Sequence, residues 1–95
     1  MSAAEAIVAE FRAFGAGLRR DKFCVRSALD IVDRCETNGV GILGIEGFYL
    51  TDTTTVPKLD HVLDLSAGMK AYDTARQFLR HGEGLPLFYE FTFQE

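Results

Sequence analysis

The chain has 95 residues, 47% of them hydrophobic and 25% charged, with eight Phe, three Tyr, two Cys and no Trp. That length makes one domain, the aromatic content excludes disorder, two cysteines exclude a disulfide-built scaffold, and no apolar run nears the roughly 20 residues that span a bilayer. Ten basic against fourteen acidic side chains leave a net charge of −4, which repels phosphate backbones and argues against a nucleic-acid partner.

Ser2 followed by Glu5 is a capping-box pattern, so a helix is predicted to begin at once. Ile7, Phe11, Phe14 and Leu18 give it one apolar stripe. Gly15 and Gly17 weaken its end, and Arg19-Arg20-Asp21-Lys22 reads as a corner. With Arg26, this basic cluster is a solvated surface rather than an anion site, since no aromatic stacking pattern accompanies it. A second helix is predicted from about residue 21 or 22 to residue 37, with Val25, Ala28, Leu29 and Val32 on its buried face. Asn38-Gly39 stops it, because either residue readily takes the left-handed conformation. Cys24 and Cys35 both fall in this helix, about 16 Å apart along its axis, too far for a disulfide. They read as reduced thiols, as in the cytoplasm.

Residues 40–50 change period and read as a strand, rich in β-formers and punctuated by Gly. Simple alternation sets Ile42, Phe48 and Leu50 on one face and Leu43, Ile45 and Tyr49 on the other. A strand apolar on both faces belongs inside a sheet covered, at least in part, on both sides. Residues 51–55 form a polar connection, and Pro57 leads into a shorter strand marked by Leu59, Leu63 and Leu65. A third helix is predicted to start near Ser66, to bury Tyr72, Ala75, Phe78 and Leu79, and to end at His81-Gly82-Glu83-Gly84. Residues 87–93 make the clearest strand, with Leu87, Tyr89, Phe91 and Phe93 alternating against Phe88, Glu90 and Thr92. Its aromatic content fits the sheet interior beside residues 40–50 better than an edge, where it would invite pairing with a second copy. A dimer would then form through helix faces or the other edge. The order α-α-β-(β)-α-β predicts a single small α+β domain over residues 1–95, its helices packed on one face of a mostly antiparallel sheet.

The middle of the chain carries the negative excess: over residues 38–68, Glu46, Asp52, Asp60 and Asp64 face only Lys58. Glu46 interrupts an apolar strand and needs solvent, a partner or a raised pKa. It is either a recognition or acid/base carboxylate, or a residue turned to water by a bend at Gly44 or Gly47. Glu90 sits at a comparable break in the last strand, and neighbouring strands would let the two carboxylates share a face. Asp60-His61 with Asp64 offers too few ligands for a metal, and the glycines of residues 39–47 lack the Lys-Ser/Thr of a phosphate loop. No metal or cofactor is expected, and neither Cys has the neighbours of a nucleophile. Residues 1–20 hold no basic stretch followed by an apolar core, so the expected compartment is the cytoplasm and no membrane partner is expected.

A helix with Ala28-Leu29-Asp30-Ile31-Val32 runs into Asn38-Gly39-Val40-Gly41-Ile42-Leu43-Gly44, and a closing Leu87-Phe88-Tyr89-Glu90-Phe91 follows the third helix. Over roughly residues 28–93 this resembles small immunity proteins of bacterial polymorphic toxin systems, in which a Gly-Ile-Leu-Gly strand precedes an acidic residue. Glu46 takes that acidic position. The resemblance implies a cytoplasmic, non-enzymatic inhibitor whose acidic surface occupies the phosphate site of a basic toxin. On that reading the partner-binding residues are Glu46, Asp52, Asp60 and Asp64, with Tyr49 as an aromatic anchor. The alternatives are a small hydrolase using Glu46 with His61 or Glu90, and a self-associating domain of other function; the protein itself would be a monomer or a homodimer.

Overall fold

The Ser2 hydroxyl accepts the Glu5 amide at 3.1 Å, and α1 (Ala3–Phe11) follows, burying Ala4, Ile7 and Phe11. The structure, a computed structural model, describes residues 2–11, 22–51, 54–68 and 70–94. Phe14 and Leu18, expected to extend the first helix, lie outside the described residues. Helix α2 (Val25–Asn38) buries Ala28, Ile31, Val32 and Cys35. Cys24 is its N-cap rather than part of it. Gly39 ends the helix at φ 67°, and the Gly39 and Val40 amides close on the carbonyls of Glu36 and Cys35. Only a residue free of a Cβ penalty makes that turn cheaply.

Three strands form one antiparallel sheet in the order β2-β1-β3, from β1 (Ile42–Leu50), β2 (Thr55–Asp64) and β3 (Phe88–Phe93). Helix α3 (Tyr72–His81) connects β2 to β3 and, with α1 and α2, supplies the core on one sheet face. The element order and α+β class agree with the sequence pattern. Several details do not. A bulge between Ile42 and Gly44 breaks the alternation of β1. Its extra residue brings Ile42 onto the same side as Ile45, and both are fully buried. No described helix covers the opposite face of β1, where Glu46, Val62 and Thr92 stand exposed.

The last strand is an edge, not an interior strand. Its partner on one side is β1. On its other side Phe23 exchanges two backbone hydrogen bonds with Tyr89, at 2.8 and 2.7 Å. One isolated bridge therefore satisfies the outward groups of Tyr89 without adding a strand. Strand β2 is longer than expected and takes in Pro57, which an edge strand tolerates because the missing N–H need not face a neighbour. Helix α3 starts at Tyr72, later than Ser66. Successive turns, Gly68 to Leu65 and Ala71 to Gly68, occupy the interval. The Tyr72 hydroxyl then donates to the Val40 carbonyl at 2.8 Å, fixing α3 against the entry to β1. Across the helix pair, Arg76 on α3 holds Asp33 and Glu36 of α2 and Asp73 of its own first turn.

Candidate functional site: the uncovered sheet face

Alternation along the strands sends consecutive side chains to opposite faces. On the uncovered face β1 places Gly44, Glu46 and Phe48, opposite Thr92, Glu90 and Phe88 of β3. On the β2 side, Asp64 stands opposite Gly44 and Val62 opposite Glu46. Glu46 is thus flanked by Val62 on one strand and by Glu90 on the other. Like charges directly opposite each other repel, and the arrangement is relieved from outside the sheet. Lys22 ion-pairs with Glu90 and stands 4.9 Å from the centroid of the Phe48 ring, a cation over an aromatic face. Glu46 is exposed, and no cation pairs with it among the described residues. A shallow groove of about 410 Å³ runs beside it, lined by Gly44, Glu46, Val62, Asp64, Ser66 and Thr92. The Asp64 carboxylate accepts the Ser66 amide at 2.9 Å, and that bond holds its pKa below the usual carboxylate value.

The five residues predicted to bind a partner are not all gathered here. Glu46 and Asp64 share the face. Asp60 lies where β2 swells away from β1: Glu46 pairs with Val62 and Phe48 already with Pro57, leaving residues 58–61 opposite Gly47 alone. There Lys58 donates to Asp60 at 2.7 Å, which lowers the Asp60 pKa and raises that of Lys58. Tyr49 is half-buried on the helix side of the sheet, packed against the core, with Lys58 at 6.0 Å from its ring centroid. Asp52 lies outside the described residues. Missed by sequence reasoning were Lys22, Phe48 and Val62. Lys22 was visible only as one member of a basic corner, and nothing local announced that the Phe23 bridge would carry it across to β3.

His61 and Glu46 face opposite sides of the sheet. The imidazole lies against the Phe78 ring, centroids 4.5 Å apart, and its Nε2 meets the Tyr89 hydroxyl at 3.1 Å. Two glycines make room for it. A Cβ at Gly47 would come within 2.9 Å of the imidazole Cδ2, and one at Gly82 would overlap the Tyr89 hydroxyl. Burial, helped by the Lys58 ammonium and opposed by Asp60, pushes the His61 pKa below its ordinary value. Burial raises Tyr89 as well, so the pair is a neutral, closed hydrogen bond. Cys35, fully buried, is pushed up to about 12 by burial and stays a thiol. Burial also raises Cys24, but hydrogen bonds from the Ser27 amide and hydroxyl and the Arg26 amide at the start of α2 bring it below the ordinary value. Among the described residues, no three metal-ligating side chains converge, and no helix is long and apolar enough to cross a membrane.

Neither a scan against protein-family models nor a search of curated proteins finds a match to this chain.

Proposed function

We propose that the chain is a non-enzymatic, cytoplasmic protein-binding domain, an immunity protein that neutralises a basic toxin through its uncovered sheet face. One observation supports this above the others: Glu46, with no cation paired to it among the described residues, stands in the middle of that face between Val62 and the Lys22-neutralised Glu90. A carboxylate without a cation among the described residues, set beside Val62 and Phe48, fits a partner that brings a Lys or Arg together with apolar surface. Glu46 and Asp64 are the recognition carboxylates in this reading, and Asp60, already paired with Lys58, contributes less.

The test partner is the product of any basic toxin gene found to adjoin this one. The wild-type protein should bind it at micromolar concentration or tighter and block its activity. Glu46→Lys combined with Asp64→Lys should slow association tenfold or more at low salt, with the two rates converging as salt screens the charges. Failure of the wild type to bind removes the immunity reading; binding with unchanged rates in the variant moves the interface elsewhere. The second reading, a hydrolase on the Glu46–Glu90 pair, draws support from their direct cross-strand placement. It is the weaker one, because Glu90 already holds Lys22 and the pair stands open to water rather than in an enclosed site.

A further inference from the structure

We infer that His61 is a pH-operated latch: neutral, it pins residues 58–61 of β2 to the helix layer, and charged, it lets that bulge swing out while the domain stays folded. The ladder holds this segment weakly, because its four residues stand opposite Gly47 alone, between the Pro57–Phe48 and Val62–Glu46 pairs. Leu59 and Asp60 are exposed, and Lys58 turns to Asp60 and the Tyr49 ring. Of the four side chains, His61 is the one that reaches past β1 among the described residues. It crosses bare Gly47 to meet Phe78 of α3 and Tyr89 of β3.

That contact suits one protonation state. Tyr89 is fully buried, and among the described residues its hydroxyl has a single hydrogen-bond partner, the His61 Nε2 at 3.1 Å. A neutral imidazole presents a lone pair there, so the hydroxyl donates and its proton is satisfied. Protonation sets a second donor at Nε2. The hydroxyl oxygen can accept it, but its own proton is then left without an acceptor in the core. The Phe78 face attracts a cation, yet by less than the orphaned donor and the lost solvation together cost. The charges around the ring do not redress this. Gly47 on β1 brings no side chain, His81 at the end of α3 repels once protonated, and Lys58 repels throughout. Asp60 attracts, but it already accepts from Lys58. Swinging out returns both the imidazolium and the Tyr89 hydroxyl to water, a local opening rather than a global one. The bulge ends at Val62, the cross-strand neighbour of Glu46, so the opening reaches the β2 wall of the groove.

Nuclear Overhauser contacts between the His61 imidazole and the Phe78 and Tyr89 rings read the latch in the wild-type protein. They should be strong at neutral pH and fade as the pH falls below 6.5, while contacts within α2 and between β1 and β3 persist. The ratio of open to closed bulge should rise about tenfold per pH unit until the lower pKa of the closed state is reached. In His61→Gln, which cannot charge, the backbone signals of Leu59 and Asp60 should stop responding to pH over this window. His81→Gln should leave their response in place. Contacts to Phe78 and Tyr89 that survive after the ring-proton shifts show the imidazole charged would overturn the inference. So would loss of the α2 contacts at the same midpoint, which makes the event global unfolding, or a pH response of Leu59 and Asp60 that persists in His61→Gln.

Discussion

The two faces of this sheet are made from the same three strands, yet they are held to different standards of fit. On the helix side Ile42, Ile45 and Tyr89 have no exposed surface, and Tyr89 is the largest fully buried side chain in the described structure. Its hydroxyl, the His61 imidazole and the bare backbones of Gly47 and Gly82 fill one volume with no slack. On the other side Glu46 and Thr92 stand in water, and Phe48 and Phe88 are half-covered. Close packing makes the first face intolerant of any change in volume, while the second is free to carry charge. Stability and the recognition proposed for this domain are thereby separated by a single layer of backbone.

The sharpest way to break that separation is to change the filled volume. Tyr89→Ala should destabilise the domain by about 3–5 kcal/mol, a large share of the ~5–15 kcal/mol of a small domain, read as a shift in the urea midpoint. Gly82→Ala should also destabilise, because its Cβ would overlap the Tyr89 hydroxyl and a ring with no exposed surface has nowhere to move. Tyr89→Phe removes that oxygen at a cost of about 1 kcal/mol for the lost hydrogen bond. In its background Gly82→Ala should therefore cost less than in the wild type. Strict additivity of the two changes would show that the hydroxyl does not dictate the glycine.

How much of this was visible in the sequence follows from the range of the interactions involved. Helix α2 was legible because its stripe and the Asn38-Gly39 stop are local, and the Glu46–Glu90 juxtaposition followed once β1 and β3 were neighbours. The Ile42 bulge was not legible, since a single inserted residue leaves no composition signal. Nor was the pairing of Phe23 with Tyr89, which joins segments 66 positions apart and satisfies the outward backbone groups of Tyr89 on an aromatic edge strand. His61 looked like one member of an acidic cluster with Asp60 and Asp64, because adjacent residues in a strand look alike in sequence and face opposite ways in space. Its true neighbours, Phe78 and Tyr89, come from α3 and β3.

A smaller effect should come from acid. The folded His61 has a pKa below its ordinary 6.5, chiefly through burial. Above that value neither the folded nor the unfolded chain protonates it, and its contribution to stability is whole. As pH falls below 6.5 the unfolded chain takes up a proton that the fold resists, so stability declines until the folded pKa is reached. His61→Gln, which keeps a polar partner for Tyr89, should flatten the curve of stability against pH in that window. The difference between the two curves isolates this imidazole from His81. Parallel curves would mean that His61 is as free to charge in the fold as out of it.

The smallest change in stability should come from the uncovered face, at the residue proposed to matter most for binding. Glu46→Gln leaves the shape of the strand unchanged and removes one of two carboxylates standing directly opposite each other. Loss of like-charge repulsion favours the variant, and loss of solvation matters little at an exposed site, so stability should stay within about 0.5 kcal/mol of the wild type and tend upward. Lys22 determines how far upward. With Lys22 paired to Glu90 the repulsion is largely compensated. Lys22→Ala exposes it, and Glu46→Gln should then stabilise more than it does in the wild type, by a few tenths of a kcal/mol up to about 1 kcal/mol at low salt. The excess should disappear at high ionic strength, as surface electrostatics do. Glu46→Gln that destabilised by more than about 1 kcal/mol in either background would show that the carboxylate supports the fold, and that the two faces are not separate after all.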